Sequence, residues 1–233
     1  MKHGRGFGKL GAVTFWAVGL VWLASLAALA RPALAAPAGA GRAVVILALG
    51  DSLTAGLGLP EDRAFPAVLA RRLTADGFRV QVINAGVSGD TTAGGLDRLS
   101  WLLAEKPQMA IVELGANDGL AGTDPALTEA NLDAILTQLQ KAGVKVLFTG
   151  MLAPPNLGFE FTDRFKAVFP RLAAKHKVEF YPFFLTGVAG KPELNLPDGL
   201  HPNGKGVVVI VDNIYPLVRR MVAELAGGSP EKE

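Results

Sequence analysis

The chain has 233 residues, 50% of them hydrophobic and 19% charged, with 23 lysines and arginines against 21 aspartates and glutamates. This is an ordinary globular balance, long enough for one domain with its own core. With no cysteine, disulfide scaffolds, thiolate metal sites and cysteine nucleophiles are excluded, and the only histidines (His3, His176, His201) argue against a multi-histidine metal centre.

Residues 1–35 read as a secretory signal. Lys2, Arg5 and Lys9 form a basic start, an apolar run covers 11–30, and small residues follow at Ala33, Ala35 and Ala36, with cleavage expected after Ala35. The competing reading is an uncleaved anchor, because the run approaches the roughly 20 residues that span a bilayer. Removing the segment takes away four basic residues and no acidic one, leaving 19 basic residues against 21 acidic, a net charge of −2. The remainder carries no long Lys/Arg run and no basic-aromatic stripe, so nucleic acid is not an expected partner. An exported protein, periplasmic or secreted, is the expectation.

From residue 42 to 226 the pattern predicts a single α/β domain, followed by a frayed tail over 227–233. A buried strand is predicted at 43–49, a helix at 65–74, a strand at 80–84 and a helix at 91–104. A third strand follows at 109–114. A strong helix covers 125–142, with Leu127, Leu132, Ile135, Leu136 and Leu139 on one face. A fourth strand lies at 145–149, a helix at 161–176 that Pro170 is expected to disturb, a short strand at 178–181 and a last helix at 206–225. Alternating strands and helices imply βαβ units and a mostly parallel five-stranded sheet with helices on both faces. Ligands of such sheets bind outside the carboxyl ends of the strands.

The polar residues with chemistry follow the strands. Gly50-Asp51-Ser52-Leu53 comes after the first, 84–92 (NAGVSGDTT) after the second, and Gly115-Ala116-Asn117-Asp118 after the third. Ser52 sits in a tight turn in which Gly50 is expected to take backbone angles closed to other residues. The same cluster also reads as a helix cap. His201 follows Asp198 by three residues in a Pro- and Gly-rich loop, close enough for a carboxylate to fix the imidazole tautomer, although alone this is also an ordinary solvent loop. His176, near a helix C-terminus, reads as structural. For an oxyanion, Asn117 offers a side-chain amide and Gly89 and Ser52 offer backbone N–H groups, while Gly89 and Asn117 each also fit plain turn chemistry. The stretch 199–205 (GLHPNGK) imitates a phosphate-binding loop but has Gly206 where Ser or Thr is required. Thr54 stands where a G-x-S-x-G elbow needs its second glycine, which disfavours the α/β-hydrolase fold.

With these blocks in order, the chain resembles the GDSL, or SGNH, hydrolases, in particular the bacterial arylesterase and acyl-CoA thioesterase I/lysophospholipase L1 branch. The letters of the family name fall on Ser52, Gly89, Asn117 and His201, and the resemblance runs from about Val44 to Val222. It implies a flavodoxin-like three-layer α/β/α sandwich, no cofactor, and hydrolysis of carboxylic esters and thioesters, lysophospholipid among them. By carry-over, Ser52 is the nucleophile, His201 the base and Asp198 its orienter, with an oxyanion hole from the Ser52 and Gly89 N–H groups and the Asn117 side chain. Two positions depart from the branch. Ala116 replaces a usual glycine, with a methyl expected to shift Asn117 or narrow the hole, and Leu57 replaces a common tyrosine. Leu57, Ala116, Pro154 and Pro155 are the candidate substrate-pocket residues. Alternatives on the same fold are a sugar or polysaccharide O-deacetylase and a non-catalytic lipid- or glycan-binding protein. No metal site and no stable protein partner is signalled.

Overall fold

A computed structural model describes residues 43–227. The proposed signal and most of the proposed tail lie outside the described residues. Five strands form one sheet in the order β2-β1-β3-β4-β5: β1 (Val44–Gly50), β2 (Val80–Gly86), β3 (Met109–Glu113), β4 (Lys145–Thr149) and β5 (Glu179–Tyr181). Every pairing is parallel, with Val44 opposite Val80, Ile46 opposite Met109 and Met109 opposite Lys145. Strands β1, β3 and β4 bury nearly every residue, as expected for parallel strands covered on both faces.

Among the described residues seven α-helices connect and flank the strands: α1 (Ser52–Ala55), α2 (Phe65–Ala75), α3 (Thr92–Leu103), α4 (Ala116–Ala121), α5 (Pro125–Lys141), α6 (Phe159–His176) and α7 (Gly204–Leu225). Helix α2 packs on α7, while α5 packs on both α3 and α6. The aromatic centre of the core is Phe148, Phe165 and Phe169, with ring centroids 5.5–5.7 Å apart along the chain of contacts. Among the described residues no helix is long and apolar enough to cross a membrane.

The strands and long helices lie where the periodicity puts them, within one to two residues. Two short helices, α1 and α4, occupy stretches that read as loops. Pro170 does not interrupt α6: the helix runs through it, because buried Phe165, Val168, Phe169 and Leu172 anchor the turns on both sides against the core. Strand order reverses direction between β1 and β3, so the crevice available for a ligand opens at the carboxyl ends of these two strands.

Candidate active site

Strand β1 ends at Gly50 and the chain turns immediately into α1. Asp51 caps this helix, its Oδ1 accepting the Leu53 N–H at 2.9 Å, and Ser52 is the first helical residue. Gly50 is required here for a different reason from the one its sequence context suggests. Its φ is not positive. A Cβ at this position would instead lie 2.6 Å from Glu113 Oε2 and 2.7 Å from the Glu113 carbonyl, and would overlap Thr54 Oγ1. The glycine makes room for a buried hydrogen bond in which the Thr54 hydroxyl donates to Glu113 Oε2 at 2.7 Å.

The loop between Leu194 and α7 is cross-tied before it delivers its histidine. Asn195 forms an antiparallel bridge with Pro202, the Leu196 N–H donates to the His201 carbonyl at 2.7 Å, and Asn195 Nδ2 donates to the Val188 and Lys191 carbonyls at 2.8 Å. Asn203 then caps α7 through the N–H groups of Lys205 and Gly206. Within the loop, Asp198 Oδ1 accepts the N–H groups of Leu200 and His201 at 2.9 and 3.0 Å, and its Oδ2 lies 2.7 Å from His201 Nδ1. The other ring nitrogen, Nε2, is 2.9 Å from Ser52 Oγ, across 149 residues of sequence. Three side chains from the two ends of the domain thus form one hydrogen-bonded line. The backbone N–H and ring of His201, followed by the Leu200 N–H, hold the Asp198 carboxyl down at about 2.

Gly89 lies in the turn 87–90, closed by the Asp90 N–H on the Val87 carbonyl at 3.0 Å. Its φ of 84° is the left-handed conformation that the third place of a type II turn demands. No atom lies within 4 Å of where its Cβ would be, so the turn presents its backbone to open space. Asn117 follows Gly115, whose φ of 112° swings the chain from β3 into α4. The Asn117 amide donates to the Asp90 carbonyl at 2.8 Å and to Asp51 Oδ2 at 3.3 Å. It therefore bridges the serine turn and the glycine turn. Ala116 adopts a backbone with no positive φ and packs against the core, so its methyl group leaves Asn117 seated in this bridge.

Three polar residues of the site were not singled out from sequence. Asp51 is fully buried, and burial pushes its carboxyl up to about 6. Glu113, at the end of β3, is pushed well above the usual carboxylate range by burial and then by the charge of Asp51. An acidic residue ending an otherwise apolar strand was the available signal for Glu113. Asp118 receives the Thr92 N–H at 2.9 Å and its hydroxyl at 2.6 Å, tying α3 to the start of α4. His176 stands apart, bonded to Asp133 at 2.6 Å and Gln140 at 2.9 Å between α5 and α6, in the structural role its position suggests.

A cavity of about 280 Å³ beside the loop after β4 is lined by Leu152, Ala153, Pro155, Phe159, Thr162, Asp163 and Lys166, and Leu57, Ala116 and Pro154 do not line it. Leu57 is 44% exposed, on the turn after α1 where its N–H meets the Ser52 carbonyl at 3.1 Å. Chemically, the line of hydroxyl, imidazole and carboxylate can draw a proton from Ser52 Oγ, and the surrounding N–H groups can receive a developing negative charge.

A family model described as the GDSL-like lipase/acylhydrolase family matches residues 48–208. The chain is 40% identical over 181 residues to esterase TesA of Pseudomonas aeruginosa, an alignment covering 77% of this chain and 90% of that protein. It is 38% identical over 184 residues to thioesterase 1/protease 1/lysophospholipase L1 of Escherichia coli K12, covering 77% and 87%. Among solved structures it is similar to AlinE4, an SGNH-hydrolase family esterase, with a TM-score of 0.66 and 44% identity over 78% of this chain and 97% of that one.

Proposed function

The chain belongs to the GDSL-like lipase/acylhydrolase family, and from that membership we propose that its ester hydrolysis runs through Ser52 as nucleophile, His201 as base and Asp198 as orienter. The observation that carries this assignment is the unbroken line Ser52 Oγ–His201 Nε2 at 2.9 Å and His201 Nδ1–Asp198 Oδ2 at 2.7 Å. For Ser52 to donate to Nε2, the ring proton must sit on Nδ1, where Asp198 accepts it.

In the first half-reaction Ser52 Oγ attacks the acyl carbon as its proton passes to His201 Nε2, and the carboxylate of Asp198 stabilises the imidazolium. The tetrahedral oxyanion takes hydrogen bonds from the Ser52 and Gly89 N–H groups and from Asn117 Nδ2, whose second N–H turns to it from the long 3.3 Å contact with Asp51 Oδ2. Collapse expels the alcohol or thiol, which leaves with the proton from His201. Water then repeats the sequence on the acyl-enzyme and frees the acid.

Acyl and aryl esters and thioesters, with lysophospholipid among them, are the substrates that fit this reading. In support, Leu57, Val87, Leu152 and Leu200, on loops or turns, and Leu120, on α4, are exposed at the carboxyl edge of the sheet or beside His201 and offer an apolar rim for an acyl or aryl group. The basic start and apolar run within residues 1–35 support export to the periplasm or beyond.

The test is treatment with a fluorophosphonate followed by intact-mass measurement, with turnover of a short aryl ester in parallel. A single adduct on Ser52, lost with His201→Ala, and no turnover by Ser52→Ala are expected. Near-normal turnover by Ser52→Ala would sink the assignment. A panel of acyl-CoA, lysophospholipid and an acetylated sugar then ranks substrates, and strong preference for the sugar would assign O-deacetylation instead.

A further inference from the structure

Arg98 lies on α3, one turn after Gly94, and its guanidinium is enclosed, with the side chain 23% exposed. It donates in three directions. Nε binds Asp90 Oδ2 at 2.7 Å, Nη1 binds the Ala85 carbonyl at 2.7 Å, and Nη2 binds the Gly50 carbonyl at 2.9 Å. Each acceptor borders a different part of the site. Gly50 precedes the serine turn by two residues, Ala85 is in the end of β2, and Asp90 follows Gly89. The carbonyl of Asp90 is also the acceptor that seats the Asn117 amide at 2.8 Å. The Gly50 carbonyl takes the Val87 N–H as well, at 3.1 Å, so the serine turn and the glycine turn share that one oxygen with Arg98.

A second feature of α3 serves the same contact. A Cβ at Gly94 would overlap Asp90 Oδ1 and lie 3.0 Å from Asp90 Cγ. The helix is therefore hollowed at one position and charged four residues on, and the Asp90 carboxylate fills the space between. A planar guanidinium is the side chain that can serve three acceptors at fixed angles, whereas an ammonium on a flexible stem cannot hold the same fork.

We infer that Arg98 is a positioning residue for the oxyanion hole, holding the three donors in register through Gly50 and Asp90 without touching substrate. The inference rests on the reading of Ser52, Gly89 and Asn117 given above. Loosening the clamp misplaces N–H groups whose worth depends on distances to a charge that exists only in the transition state, so kcat falls while ground-state binding is kept.

The experiment compares the parent, Ser52→Ala, Arg98→Lys and Gly94→Ala on a short aryl ester. Rates are expressed per reactive serine, counted by the end point of a fluorophosphonate titration, so that unfolded protein does not enter the rate. Expected for Arg98→Lys is a kcat per titrated site lowered by about 10- to 100-fold at nearly constant KM, short of the roughly 10²- to 10³-fold that removing a donor outright costs. Gly94→Ala, which displaces the Asp90 carboxylate while keeping Arg98, should show the same split, and it carries the test if Arg98→Lys does not fold. A parental kcat per titrated site in the folded variants, with only a lowered Tm, would make the clamp structural and overturn the inference. Turnover by Ser52→Ala would instead overturn the underlying reading of the site, so the two failures are told apart.

Discussion

Asp198 and His201, three residues apart, are joined twice: ring Nδ1 to carboxylate Oδ2 at 2.7 Å, and backbone N–H to Oδ1 at 3.0 Å. One carboxylate therefore sets both the shape of the loop and the tautomer of the ring. Because its carboxyl is held at about 2 rather than the ordinary 3.8, it is ionised throughout the neutral range. The stability of these contacts is fully present above the ordinary carboxylate range and is lost as pH falls towards 2.

This predicts the behaviour of Asp198→Asn. The amide oxygen can still cap the Leu200 and His201 N–H groups, but the NH₂ group then faces Nδ1 and selects the wrong tautomer. Steady-state kinetics should show kcat down by about 10²- to 10⁴-fold, while the Tm stays within a few degrees of the parent. An unchanged kcat would remove Asp198 from the mechanism.

Asn117→Ala deletes an amide that bridges the Asp90 carbonyl and Asp51 Oδ2. The expected loss is about 10²- to 10³-fold in kcat with little change in KM, since the oxyanion exists only in the transition state. A rise in KM at constant kcat would assign Asn117 to ground-state binding.

The two glycines of the site should lose different amounts of stability on replacement by alanine, for different reasons. At Gly50 a Cβ meets Glu113 at 2.6 Å and overlaps Thr54, both inside the core, so Gly50→Ala should lose about 3 kcal/mol or more or fail to accumulate as folded protein. At Gly89 the Cβ meets nothing and only the φ of 84° is strained, which costs about 1–2 kcal/mol. Thermal melts of the two variants decide between these outcomes, and a well-folded Gly50→Ala would contradict the packing argument.

Asp51 sets a pH dependence of opposite sign to that of Asp198. Burial raises its carboxyl from 3.8 to about 6, so the native state holds this proton more tightly than the unfolded chain. The contribution to stability is complete below about 3.8 and is lost as pH rises through about 6. Asp51→Asn cannot ionise. Urea unfolding at pH 4 and pH 7.5 should show the variant gaining on the parent by about 2 kcal/mol between the two. A constant difference would mean that Asp51 titrates normally.

What the sequence determined by itself was the order of strands and helices and the chemistry at the strand ends. Apolar periodicity separates buried strands from amphipathic helices, and the polar blocks that follow the strands, taken together and in order, carry the family resemblance. Ser52, Asp198 and His201, with Gly89 and Asn117, could be proposed from that resemblance. The tertiary structure alone decided how they are held. The need for a glycine at position 50 comes from Glu113, the partner of Thr54 across 59 residues, and not from its own backbone angles. Arg98 reads as one more helix-surface charge until the fold brings the Gly50 carbonyl, 48 residues away, within 2.9 Å of it. In each case the deciding contact joins residues far apart in the chain, and local pattern carries no information about which distant atom will occupy the neighbouring space.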